Sequence, residues 1–384
     1  MTDHQTTFDR RTLLALGAGG LACGLTSSAS AQKTPGLKIL ERRVISHLSH
    51  RYHGWPTLAK RKNGQLLLVC SGGRESHVCP FGRVELMRSD DNGATWTWPQ
   101  TLIDSAIDDR DAGVVETAAG SLLVTTFTSL AFEKSNYFAK GDPQRVARWK
   151  AARDRVPKSV REKMLGEWMI RSTDGGQNWT APFRCGINSP HGPIALADGR
   201  VLYAGKALYH GKSRIGVSVS NDDGVTWKWL ATIPTRPGDD HNQYHELHVV
   251  ESRPGHLVAH IRNHNPKNAG ETLQSESKDG GRSWTMLHSI GVWGLPSHLL
   301  RLADGRLLMS YGHRRPPFGN QVRISSDAGA SWSSPLILSG DGAGGDLGYP
   351  STVEVDDGLV TAWYERLKQS PMAVLRMARW RLTG

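Results

Sequence analysis

Several things are scarce in this chain. Four cysteines in 384 residues are too few for a disulfide-stapled scaffold. No Cys/His spacing resembles a zinc site, and nothing in the pattern demands a metal or other cofactor. Lys/Arg runs, a recognition-helix pattern and an aromatic stacking motif are also missing, so nucleic acid is not the expected partner. The one candidate membrane anchor, a Gly/Ala-rich apolar run after Leu14, is too short to span a bilayer comfortably. It follows Asp9-Arg10-Arg11-Thr12-Leu13-Leu14 and precedes Ala29-Ser30-Ala31, so residues 1–31 read as a twin-arginine export signal with cleavage near Gln32. The mature protein is then expected to be periplasmic or secreted, with no stable membrane insertion. Cys23 stands one residue out of register for a lipoprotein box. Of the remaining cysteines, Cys70 and Cys79 are candidates for a bridge or for free buried thiols, and Cys185 stands apart. Acidic residues are the minority: 47 Lys and Arg face 36 Asp and Glu, a formal charge of +11, which favours an anionic partner.

Repetition is what the chain has in abundance. The pattern Ser-x-Asp-x-Gly-x-x-Trp occurs five times, beginning at Ser89, Ser172, Ser220, Ser277 and Ser325. Each copy follows an alternating stretch such as Val84-Glu85-Leu86-Met87-Arg88, so each reads as a hairpin turn with glycine at the position of positive φ. A second series of turn glycines, Gly64, Gly120, Gly199, Gly255, Gly305 and Gly358, has apolar residues close on both sides. Most neighbours are about 50 residues apart, the period of a four-stranded propeller blade. Residues 32–384 are therefore expected to form one all-β domain, a six-bladed β-propeller of four-stranded antiparallel blades. The box is degenerate or absent in one blade, and the stretch from Leu37 to Leu48 is free to pair with the last blade and complete the ring.

Strand parity then says where side chains meet. Both kinds of repeated turn fall on one face, so residues before each first strand and after each second strand share the opposite mouth. These include His53, Asp109-Arg110-Asp111, His191, His245-Glu246, His298 and Tyr349, then Arg74, Lys206, Arg262, Arg314 and Arg315. Converging on one axis, they imply a polar, cation-lined site. The interval from Gly120 to Gly199 is too long by roughly 25 residues for a blade. The excess, at 130–168, lies on the site face. Asp142-Pro143 caps a helix through Gln144 to Arg155, and Pro157 starts a shorter one ending at Gly166, together a cover for one side of the pocket.

The box resembles the Asp-box of the bacterial sialidase (neuraminidase) superfamily, and the resemblance extends over nearly all of the mature chain. It implies that the boxes are structural and that chemistry lies at the mouth. On this resemblance Tyr349 is the nucleophile and Glu246 the base that deprotonates it, while Arg262 and either Arg314 or Arg315 are two members of a carboxylate-binding arginine triad. Two family features are missing. Gly54 and His53 stand before Trp55-Pro56 where the first triad arginine is expected, and Gly73 to Pro80 contains no aspartate acid/base. Arg74 is the candidate to restore the positive charge, with Arg110 a further cation of the binding set. His53, His77 and Glu75 are the candidate proton donors. Asp111 aligns with a family aspartate and is expected either to act in catalysis or to pair with Arg110. His191, His298 and His313 are candidates for contacts to sugar hydroxyls. The implied activity is retaining exo-hydrolysis of a terminal acidic sugar, sialic acid or a related ulosonic or uronic acid, from a glycan or glycoconjugate. A lyase acting on uronate polysaccharide and a non-catalytic carbohydrate-binding propeller are the competing readings.

Overall fold

Five of the six turn glycines of the second series lie between paired strands, with φ of 76° to 89°, and Gly358, at 144°, opens the second strand of its pair. The computed structural model describes residues 35–139, 142–209 and 214–383. The proposed export segment, with Cys23, lies outside the described residues. Six four-stranded antiparallel sheets follow one another along the chain and form the blades of a propeller. Their innermost strands are Tyr52–Lys60, Asp108–Glu116, Ile194–Ala195, Tyr244–Arg253, Ser297–Arg301 and Leu347–Val355, in blades one to six.

The box turns join third to fourth strands in blades one to five. Their glycines all have φ between 84° and 93°, a region that side chains bearing Cβ rarely occupy. In each box the serine hydroxyl donates to the aspartate at 2.7–2.8 Å and accepts from the glycine N–H at 2.8–2.9 Å. The aspartate accepts a further backbone N–H four residues on. Three short-range bonds thus hold the turn, and they free the box tryptophan for packing.

The core is divided among the blade interfaces. Six apolar clusters fill the six junctions between neighbouring blades. Trp96, Trp179, Trp227, Trp284 and Trp332 each pack into the junction between their own blade and the preceding one. The junction of blades five and six has no box tryptophan and uses buried Trp363 and Trp380 instead. Blade six lacks a box because its outer strand does not follow its third in sequence: Gly36–Val44 pairs antiparallel with Ala373–Thr383 and closes the ring.

The excess segment is helical, as its proline and capping signals imply. Helices span Pro143–Asp154, where the Asp142 side chain accepts from Arg145 N–H at 2.7 Å, and Lys158–Lys163. A 3-10 turn at Ala131–Glu133 and a short helix at Ser135–Ala139 precede them without a clear sequence signal. Trp149 is buried against Cys79, Ile107 and Phe132, so the insertion has its own apolar anchor. Cys70, Cys79 and Cys185 are free, buried thiols, and no bridge joins Cys70 to Cys79.

Candidate active site

Four inner strands break their pairing register at the same end, and each break carries a non-glycine residue at positive φ. They are Trp55 (53°), Asp111 (50°), Glu246 (23°) and Tyr349 (53°). An extra residue in a strand re-aims its side chain, and the strained backbone costs roughly 1–3 kcal/mol per residue. Such strain concentrates where function holds a side chain against its local preference. Here it turns an indole, two carboxyls and a phenol towards one mouth.

Tyr349 Oη donates to Glu246 Oε1 at 2.5 Å, although the two residues are 103 positions apart. Arg262, at the end of the adjacent strand in blade four, donates through Nη1 to Tyr349 Oη at 3.0 Å and to Glu246 Oε2. Its Nε donates to His264 Nε2 at 2.7 Å, which fixes the plane of the guanidinium group. Burial acts to raise the Glu246 carboxyl, but the Arg262 charge and the bond from Tyr349 outweigh it and hold the group below the usual carboxylate range. Burial, reinforced by the Glu246 charge, holds the Tyr349 phenol well above its ordinary value. At neutral pH the pair is therefore a neutral phenol hydrogen-bonded to an ionised acceptor. Glu246 and Arg262 keep 16% and 12% of their side chains exposed, enough to open the pair to a ligand.

Trp55 directly follows Gly54 and His53, which stand where the resemblance expects an arginine. The Arg74 and Arg110 guanidinium groups lie over its ring, 4.8 and 4.3 Å from the centroid. Arg74 does not reach the mouth: it is wholly buried and gripped in a fork by Asp108, at 2.6 and 2.9 Å. Its expected role as a substrate contact gives way to that of a support under Trp55. Arg110 remains partly exposed and bonds to Asp108 Oδ2 (3.4 Å) and His77 O (3.2 Å). It makes no ion pair with Asp111, contrary to expectation, because Asp108 takes that charge. Asp111 is buried with its Oδ1 unpaired among the described residues, and burial, with Glu246 adding and Arg110 opposing, pushes it up to about 7. Of the adjacent pair, Arg314 faces the site, 5.8 Å from the Tyr349 ring centroid and bonded to Leu347 O at 3.0 Å. Arg315 instead stacks on Trp293 at 3.5 Å.

The histidines separate by environment. His53 is buried and turned to Glu85 in the third strand of blade one, 3.8 Å away, so the structure does not bring it to the mouth. His191 is also buried, packed with His248 and His298 at ring separations of 4.4–5.3 Å. It lies beneath Tyr349 (6.4 Å) in the axial core and not at a sugar-contacting surface. His313 lies against Trp293. Glu75 is occupied by the insertion: Arg148 grips it at 3.1 Å through two nitrogens and Trp149 donates to it at 2.9 Å. That clamp makes the expected cover a wall docked to blade one. His77, by contrast, is half exposed, bonded through Nδ1 to Asp346 (3.0 Å) and Tyr52 Oη (2.9 Å), with its ring edge-on to Trp55 at 5.1 Å. Asp346 also accepts from Tyr52 and Tyr364. Neither Asp346 nor Asp108 was singled out from the sequence. Both lie within three residues of Tyr349 or Asp111 at the same strand ends, and that position was the signal available.

A family model described as a BNR repeat-like domain matches residues 144–362, more than half of the chain. The chain belongs to the BNR-repeat, sialidase-like superfamily. This BNR-repeat propeller is 27% identical over 205 residues to a xyloglucanase from Paenibacillus sp.; the alignment covers 47% of this chain and 19% of that protein, about a fifth of the relative's length. Among solved structures it is similar to a protein of unknown function from Dyadobacter fermentans, with a TM-score of 0.71 and 24% identity over 91% of this chain and 100% of the other. A NanB sialidase from Streptococcus pneumoniae gives a TM-score of 0.60 at 15% identity, covering 89% and 70% of the two chains. The sialidase of Trypanosoma rangeli in complex with sialic acid gives 0.56 at 17%, covering 90% and 58%. At these identities the BNR-repeat chain shares with the sialidases a propeller fold.

Proposed function

We propose that this protein is a glycoside hydrolase that releases a terminal acidic sugar, sialic acid or a related ulosonic or uronic acid, with retention of configuration. The observation that carries the reading is the Tyr349 hydroxyl held between Glu246 and Arg262, at 2.5 and 3.0 Å. Where the sugar's carboxylate adjoins the anomeric carbon, an anionic nucleophile at about 4 Å meets a repulsion of order 4 kcal/mol at an effective dielectric of about 20. A phenol approaches neutral and avoids that repulsion. As Oη bonds to the anomeric carbon, its proton passes to ionised Glu246 and the glycosidic C–O bond breaks. Water then displaces the tyrosyl oxygen from the sugar, and Glu246 returns the proton. Arg262 and Arg314 grip the sugar's carboxylate, with Arg110 on its Trp55 platform as a third cation. The net charge of +11 supports attraction of an acidic glycan. The twin-arginine segment in the sequence supports action outside the cytoplasm.

Incubating the mature protein with sialosides, other ulosonic acid glycosides and uronate polymers, followed by mass spectrometry, tests the reading. A free acidic sugar with water incorporated is the expected product. An unsaturated uronate absorbing in the ultraviolet indicates elimination instead, and tight binding without turnover indicates a lectin-like propeller.

A further inference from the structure

The acid/base aspartate implied by the family resemblance is absent from the segment after the first hairpin, yet a retaining hydrolase must protonate the departing oxygen. We propose that His77 is the group that delivers this proton and recovers it from water, and that Asp346 is its positioning residue. This assignment rests on the hydrolase reading above and adds to it the identity of the acid/base.

Geometry selects His77 from the titratable groups at the mouth. In an exo-acting enzyme the leaving group points outward, so its proton donor belongs at the rim. His77 is 48% exposed there, while Asp111 is buried at the floor beside Glu246. His53 is enclosed against Glu85, and Glu75 is held by Arg148 and Trp149. One aromatic ring, Trp55, separates His77 from the nucleophile: it lies 5.1 Å from the His77 ring and 6.3 Å from that of Tyr349. The tautomer follows from the bonds. Tyr52 gives its hydroxyl proton to Asp346, and the Asp346 carboxyl is held below its ordinary range, so the proton in the His77–Asp346 contact sits on Nδ1. Nε2 has no partner among the described residues and is the atom free to exchange a proton with a ligand. A histidine oriented through Nδ1 by a carboxylate, with Nε2 unpartnered on a half-exposed side chain, is the arrangement general acid–base chemistry needs.

The step balances without a co-reactant. During glycosylation the Nε2 proton moves to the leaving oxygen as the C–O bond breaks, leaving neutral imidazole. During deglycosylation Nε2 takes a proton from water as its oxygen attacks the glycosyl-tyrosine, and the imidazolium is restored. The charges facing His77 are Asp346 from the start of blade six, Arg110 from blade two and Arg74 from blade one.

The experiment measures kcat/KM for wild type, His77→Gln and Asp346→Asn on paired 4-nitrophenyl and methyl α-glycosides of N-acetylneuraminic acid and the corresponding glucuronides. 4-Nitrophenolate leaves without protonation, whereas methoxide does not. His77→Gln is expected to lose about 10²–10⁴-fold on the methyl glycosides and less than about tenfold on the nitrophenyl ones, with the alkaline limb of the pH profile removed. Asp346→Asn is expected to keep that limb but to move it to lower pH, because the one negative charge that favours the imidazolium is gone. Equal losses on both leaving groups, or methyl glycosides cleaved by His77→Gln at the wild-type rate, overturn the assignment while leaving the hydrolase reading intact. Full activity in Tyr349→Phe removes the tyrosyl intermediate on which His77 is proposed to act and overturns the assignment with it, whereas a wild type that cleaves none of these glycosides overturns the hydrolase reading itself. Melting curves establish that each variant is folded; the half-exposed His77 and the isosteric Asp346→Asn change leave the core untouched.

Discussion

At the scale of single residues, the site is a set of charges whose ordinary values are altered by burial and by one another. Tyr349→Phe removes one oxygen and no packing, so kcat is expected to fall by at least about 10³-fold while the melting temperature stays within a few degrees; steady-state kinetics beside a melting curve checks both. The pH profile follows from His77, which burial and the charges of Arg110 and Arg74 hold below 6.5 against the pull of Asp346. A proton donor must be protonated in the free enzyme, so kcat/KM is expected to decline as pH rises through a value under 6.5. Asp111 is the rival titration, since burial pushes it up to about 7. In Asp111→Asn that decline with rising pH should persist if His77 sets it.

Among elements, the box turn illustrates how a local pattern supports long-range packing. Its serine and aspartate satisfy the turn's backbone, and its tryptophan fills the junction with the preceding blade. Trp284→Ala is accordingly expected to cost about 3–5 kcal/mol in chemical denaturation, the range for emptying a buried aromatic site. Trp98→Ala, at a residue 65% exposed, should change stability by less than about 0.5 kcal/mol. The helical insertion is held by Trp149 in its apolar pocket and by the Glu75 clamp. In Glu75→Ala those polar bonds go while the propeller core is untouched. Faster proteolytic cutting within residues 142–163, at an unchanged melting temperature, is the expected result.

For the molecule as a whole, closure makes the ring cooperative. The strand nearest the N-terminus of the described chain pairs with the last one, so the sixth blade has four strands only when both ends of the described chain are in place. The axial core carries a pH liability. Burial lowers His191 to about 3 and takes His248 and His298 well below 6.5. A base with a depressed folded-state value leaves the unfolded chain binding more protons, so each such group contributes stability above about pH 6.5 that is lost as pH falls towards the folded value. The slope is about 1.4 kcal/mol per pH unit for each fully coupled group. Buried Asp109 and Asp111, both raised to about 7, act in the opposite sense over part of that range. Comparison with His191→Leu isolates the histidine contribution: between pH 6.5 and 4 the variant should lose less melting temperature than the wild type.

Much of this architecture was written in short stretches of chain. A serine, an aspartate and a glycine within five residues set a turn by their own hydrogen bonds, so five boxes and six glycine hairpins announced the blades without reference to distant contacts. Alternation then assigned Glu246, Arg262 and Tyr349 to one mouth, because a strand's two ends cannot exchange faces. Direction within that mouth was another matter. Two register shifts at the start of blade one's inner strand, one at His53 and one spanning Trp55, accompany the placing of His53 beside Glu85 and of Tyr52 and His77 beside Asp346, and no local pattern encodes which way such irregularities turn their neighbours. Arg74 became a buried support because its partner, Asp108, arrives from the next blade, and Arg314 was separated from Arg315 by Trp293, which comes from blade four. Local hydrogen bonding made the repeat legible; the fate of each charge depended on what other blades brought within reach, and that is a property of the closed ring.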